Sequence, residues 1–124
     1  MSLIVDLATY VAANSSLTLD TDLFVAEEPV NSPDSCVVFL TSSGSTDTES
    51  SLERRVIQVL AKAKSFIDSE ILADSVYDLL KQKPGFDSLS KIFYCEVLNS
   101  PYPLNRDERS RFILVSNFLI SKLP

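Results

Sequence analysis

Histidine and tryptophan are absent from this 124-residue chain, and glycine, cysteine and methionine are scarce, at two, two and one. Each shortage closes a class of function. Without histidine the chain lacks the commonest general base, the commonest metal ligand and the side chain that titrates near neutral pH. Its two glycines stand alone in "SSGS" and "KPGF". A phosphate cradle uses a glycine-rich run ahead of a helix. Serines are plentiful, but a serine nucleophile needs a base. Only Ser–Lys pairings at Ser65 or Ser121 remain, at a helix start and near the last residues, and neither position suits such a site. Glu27 and Glu28 lack the carboxylate spacing of a calcium loop and read as part of a solvated loop. No catalytic, metal or cofactor-binding residue is assigned, and the chain is read as a non-enzyme needing no cofactor.

Long apolar runs are missing too. None approaches the ~18 residues of a membrane span, and "MSLIVDLATYV" is too short and too acidic for a signal peptide. The expectation is folding in a cytoplasm, with no membrane partner. Cys36 and Cys95 lie in the apolar runs "SCVVFL" and "IFYCEVL", where free cysteine behaves as a small buried hydrophobe. A disulfide between them stays open if their strands are neighbours.

What is present describes a globular domain. Hydrophobic residues make up 45% and charged residues 23% of the chain, enough for one domain over residues 1–124 with its own core. The net charge of −6 repels phosphate and argues against holding a nucleic acid backbone.

Residues 2–13 carry Leu3, Ile4, Leu7 and Val11 on one helical stripe, ended by Asn14, Ser15 and Ser16. An extended segment at Leu23–Ala26 runs to Pro29, and strands are predicted at 35–42 and 54–63. Between them "SSGSTDTESS", residues 42–51, has almost no apolar residue and reads as a flexible, exposed loop. A helix over about 66–82 takes Ile67, Ile71, Val76, Leu79 and Leu80 as its stripe. Asp68 and Glu70 open it and Lys81 and Lys83 close it, each favourable against the helix dipole. Strands at 91–99 and 110–122 complete an α+β fold, a mostly antiparallel or mixed sheet with both helices on one face. Two strands are apolar on both sides. Phe112, Leu114 and Phe118 oppose Ile113, Val115 and Leu119, while Val56 and Leu60 oppose Ile57, Val59 and Ala61. Burial on both faces follows, by long loops or by a neighbouring subunit.

The most charged stretch precedes the last strand. In "SPYPLNRDERSR" Pro101 and Pro103 stiffen the approach, and Asn105 can take a left-handed turn conformation. Arg106, Asp107, Glu108, Arg109 and Arg111 then place mixed charge on a rigid tip. Such a tip is either a solvated hairpin end that guards the strand against aggregation or a polar docking rim.

The ordered set of "TDLFVAEEPVNSPDSCVVFL", "RRVIQVLAKAKSFIDSEILADSVYDLL" and "LNSPYPLNRDERSRFILVSNFLI" resembles the bacteriophage minor capsid or tail terminator proteins of siphophage head–tail junctions. By that resemblance Pro29, Pro33 and Asp34 match a first turn. Ser100, Pro101, Pro103, Leu104, Arg106, Asp107, Glu108 and Arg111 match a second, with Asn105 where the family commonly has glycine. The resemblance implies an α+β fold, a homo-hexameric ring on the tail tube protein, and contact with a head connector or head-completion protein. It also implies a place in the virion after assembly in the host cytoplasm. Pro29, Pro33, Asp34, Pro101, Pro103, Arg106, Asp107, Glu108, Arg109 and Arg111 are the expected subunit or partner interface. Six chains at −6 give about −36, so DNA would pass such a lumen without specific binding. The alternatives are another head-completion or head–tail joining protein and a cytosolic, non-enzymatic binding module.

Overall fold

Seven elements follow in the predicted order: α1 (Leu3–Ala13), β1 (Leu23–Val25), β2 (Cys36–Asp47), β3 (Leu52–Ala63), α2 (Phe66–Leu80), β4 (Ile92–Pro103) and β5 (Phe112–Lys122). They come from a computed structural model that describes residues 3–47, 52–81 and 92–122. The strands form one sheet ordered β1-β2-β3-β5-β4. Among the described strands only β1 runs parallel to its neighbour; β2–β3, β3–β5 and β5–β4 are antiparallel. The fold is α+β with a mixed sheet.

Both helices pack on the same face of that sheet. From α1 come Leu7, Ala8 and Val11, and from α2 come Ala73, Val76 and Leu80. They meet Val37 and Phe39 of β2, Ile57, Val59 and Ala61 of β3, Cys95 of β4, and Leu114, Phe118 and Ile120 of β5 in one buried cluster. The helix α1 stops where side chains take over its last carbonyls. Asn14 Nδ2 donates to Tyr10 O at 2.8 Å and Ser15 Oγ to Val11 O at 2.6 Å, so polar side chains supply what the next helical turn would have.

The phase of α2 differs from the expected stripe. Ile67 and Ile71 are 67% and 61% exposed, and the buried positions are Ser69, Ala73, Val76 and Leu80. Ser69 Oγ donates to the Ala61 carbonyl at 2.9 Å from a fully buried position. Serine and alanine let the helix lie close to β3, and that hydrogen bond sets the rotation. The N-terminus is capped by Ser65, whose Oγ accepts from Asp68 N at 3.1 Å, as serine does at N-cap positions. Asp68 alone stands in the first turn and no basic residue in the last; Lys81 is the C-cap, and Lys83 lies outside the described residues.

Two strands run further than periodicity predicts. Past a register shift at Ser42, Ser43–Asp47 continue β2 and pair with the start of β3, Asp47 opposite Leu52 and Gly44 opposite Arg55. Half of the expected loop, residues 43–47, is therefore paired backbone, and residues 48–51 lie outside the described residues. Likewise β4 reaches Pro103. It is an edge strand, where proline's missing N–H removes no ladder bond. The two cysteines are free and buried, Cys95 in the helix-side cluster and Cys36 in a smaller one with Phe24 and Val38 on the opposite face.

Candidate functional site

That opposite face is covered at one end by two turns, residues 26–35 and 104–111. Ala26, at φ 70°, ends β1, and its N–H donates to Phe39 O at 2.8 Å. This sends the chain across the ends of β2 and β3. The second turn closes the β4–β5 hairpin. Leu104 N donates to Ile113 O at 2.9 Å and Ser110 N to Asp107 O at 2.9 Å. Asp107 Oδ1 accepts from the backbone N–H groups of Arg109 and Arg111, each at 3.0 Å. A short acidic side chain that caps its own turn this way fixes the turn's shape. The residue in the left-handed region is Ser110, at φ 59°, rather than Asn105.

Charges from both turns and from β3 meet beneath them. Arg111 is 2% exposed. Its Nη2 lies 2.7 Å from Glu28 Oε2 and 2.7 Å from Asp107 Oδ2, and its Nε donates to Asp107 Oδ2 at 2.9 Å. Arg111 Nη1 donates to Pro33 O at 3.2 Å and to Cys36 Sγ at 3.5 Å. Lys62, near the end of β3, places Nζ 2.6 Å from Glu28 Oε1 and 3.9 Å from Asp107. Ser32 Oγ donates to Glu28 Oε2. Closer to solvent, Arg109 Nη2 spans to Ser32 O at 2.9 Å and Asp34 Oδ1 at 2.8 Å, while Nη1 reaches Ser32 Oγ at 3.0 Å. Lys64 Nζ donates to the Arg109 carbonyl at 2.8 Å.

Burial penalises the charged form of Glu28, but hydrogen bonds from Lys62, Ser32 and Arg111 outweigh it and hold its carboxyl at about 2. Asp107 is also lowered, its burial outweighed by hydrogen bonds and charge from Arg111. The Cys36 thiol shifts the other way, raised first by burial and then by Glu28. It is a thiol and not a thiolate, so its contact with Arg111 and Glu28 does not make a nucleophile. A cleft of about 580 Å³ opens between the turns, lined by Glu28, Pro29, Val30, Lys62, Asp107, Glu108, Arg109 and Arg111. Three acids and three bases line it. Among the described residues every one except Glu108 is engaged with its neighbours, so the cleft balances its charge internally. Among those residues no group of three or more His, Cys, Asp or Glu could hold a metal ion.

The expected interface residues divide three ways. Asp107 and Arg111 turn inward, and Pro33 joins them through its carbonyl. Asp34 and Arg109 clasp one turn to the other. Pro29, Pro103, Arg106 and Glu108 are exposed and Pro101 half-buried; Arg106 lies over the Phe112 ring at 3.9 Å, and Pro101 and Pro103 belong to β4, away from the cleft lining. Sequence reading missed Glu28, Ser32 and Lys62. Glu28 is no solvated acid but the hub of the cluster. Lys62 carried a usable signal: it shares strand parity with Val56 and Leu60, and a lysine on the inward side of an apolar strand needs an anion.

The family model described as bacteriophage tail terminator protein matches residues 10–123. The chain belongs to the bacteriophage tail terminator family. Its role is structural, as a component of the virion. No curated protein matches this tail terminator. No helix among its described residues is long and apolar enough to cross a membrane.

Proposed function

We propose that the chain ends tail growth by capping the tail tube as a closed ring, six copies to a ring, and that the ring then meets the head connector. One observation carries this reading: two turns far apart in sequence are locked by Glu28, Arg111, Lys62 and Asp107 into a single rigid lobe with a charged, solvent-facing rim. A buried ion cluster is a costly way to gain stability and a good way to fix geometry. Rigid presentation of charge is what orients one subunit against another. The interior charges shape the lobe; the contacts belong to Arg106, Glu108, Pro29 and the fully exposed Val30 (99%). The hairpin tip thus acts as a docking rim, and DNA passes a lumen that the chain's negative charge keeps non-adhesive.

The test separates shape from contact. Arg106→Glu with Glu108→Lys gives up the stacking of Arg106 on Phe112 but leaves the Glu28–Arg111 cluster in place, so the monomer should melt within about 3 °C of wild type. In a phage lacking the wild-type gene the variant should leave unattached, overlong tails under negative-stain electron microscopy. Normal virions would remove the rim from the contact surface.

A further inference from the structure

The sheet has two free edges, and they complement one another. Along its outer side β4 has no partner among the described residues, since it pairs with β5 alone. The second edge belongs to β2. Its partner β1 covers only Val37, Val38 and Phe39, so from Leu40 to Asp47 β2 is paired on its β3 side only. An unpaired row of N–H and C=O groups is a template for another strand, and chains that do not use it blunt it. In β4 the two prolines and two of the three register shifts fall at or beyond Val97. The stretch before them, "IFYCEV", has no proline, one charge and many β-forming residues.

We infer that copies of the chain join edge to edge, with the Ile92–Leu98 part of β4 pairing antiparallel to the Leu40–Asp47 part of β2 in the next copy. This rests on the proposal that the chain assembles as a closed ring. Polarity supports it. The strands β1, β2 and β5 run one way, β3 and β4 the other. A rotation about an axis along the strands preserves those directions, so β4 meets the next β2 antiparallel, as each neighbouring pair from β2 to β4 already does. The segments are of similar length. A two-fold β4–β4 pairing would also be antiparallel, but it leaves the β2 extension unpaired in both copies and closes at two. Head-to-tail pairing uses both edges, and heterologous contacts of that kind close into rings.

The test is a Ser45→Cys, Glu96→Cys double variant, supplied to tails of a phage lacking the gene and treated with a flexible bismaleimide. Glu96 is exposed, and the native Cys36 and Cys95 are fully buried. Capped tails should yield a ladder of cross-linked oligomers in a denaturing gel, and each single variant should yield monomer only. If the double variant does not fold, Thr41→Cys with Leu98→Cys, both exposed and facing each other in that register, takes its place. Tails capped at normal length without a ladder would overturn the edge pairing and leave termination standing. A dimer from Glu96→Cys alone would overturn it in favour of a β4–β4 contact. Failure of the wild-type chain to limit tail length would instead remove the ring proposal beneath it.

Discussion

The two faces of the sheet are built on opposite plans. On the helix side, Leu7, Val11, Phe39, Ile57, Val59, Val76, Leu80, Phe118 and Ile120 form one apolar cluster at no more than 1% exposure, and Asp6 of α1 is buried as well, at 4%. On the other side a small cluster of Phe24, Cys36 and Val38 gives way at the sheet's end to Arg111, Lys62, Glu28 and Asp107. Apolar packing is non-directional and scales with area; it holds the domain together but tolerates rearrangement. Ion pairs at 2.6–2.7 Å tolerate little. The difference assigns stability mainly to one face and shape mainly to the other, and the shaped face carries the turns proposed to meet partners.

The largest effect should come from the apolar face. Phe118→Ala removes a fully buried ring packed near Tyr77, at 6.2 Å between centroids, and should cost about 4 kcal/mol. Denaturant unfolding at pH 7 and at pH 3 should give the same difference, because no titrating group is involved. A loss that changed with pH would mean the two faces are not separable.

Glu28→Gln tests the other face. It keeps the shape but strands part of the charge on Arg111 and Lys62, and Arg111 retains Asp107, so a loss of about 3 kcal/mol is expected at neutral pH. The sign of the pH dependence follows from the depressed acid. Glu28 binds its proton near 4.5 when unfolded and at about 2 when folded. Its contribution is therefore complete above pH 4.5 and is lost as pH falls toward 2, on the order of 3 kcal/mol in all. Asp107 is lowered as well and adds to the same acid limb. Wild type and Glu28→Gln should converge in stability as pH approaches 2. Parallel curves would show that the cluster's carboxyl is not held low.

Much of this division was legible in the residues. Alternation in β3 and β5 correctly separated Ile57, Val59, Leu114 and Phe118 from Leu60, Ile113 and Val115, because period two is strict in a strand. The helix α1 was readable for the similar reason that its stripe is aliphatic. The cluster was only half readable. "RDER" advertised charge, but its partner Glu28 is 83 residues from Arg111 in sequence, and no local pattern couples such distant positions. The β2 extension was hidden because "SSGSTD" has no apolar period; its strand conformation comes from the pairing with β3.

Helix α2 offers the smallest effect. Counting aliphatic residues alone puts Ile71 in the core, where Ile→Ala would cost about 2–5 kcal/mol. Ser69 at 0% and Ala73 at 2% exposure put it outside, at 61%. Ile71→Ala should then change stability by less than about 0.5 kcal/mol, helped slightly by alanine's better helix propensity. Ser69→Ala is the companion measurement. It leaves the Ala61 carbonyl without the hydroxyl that donates to it at 2.9 Å, and should cost more, about 1 kcal/mol. If Ile71→Ala proves the costlier of the two, the helix is rotated from the phase described, and its serine is not the anchor that holds α2 against β3.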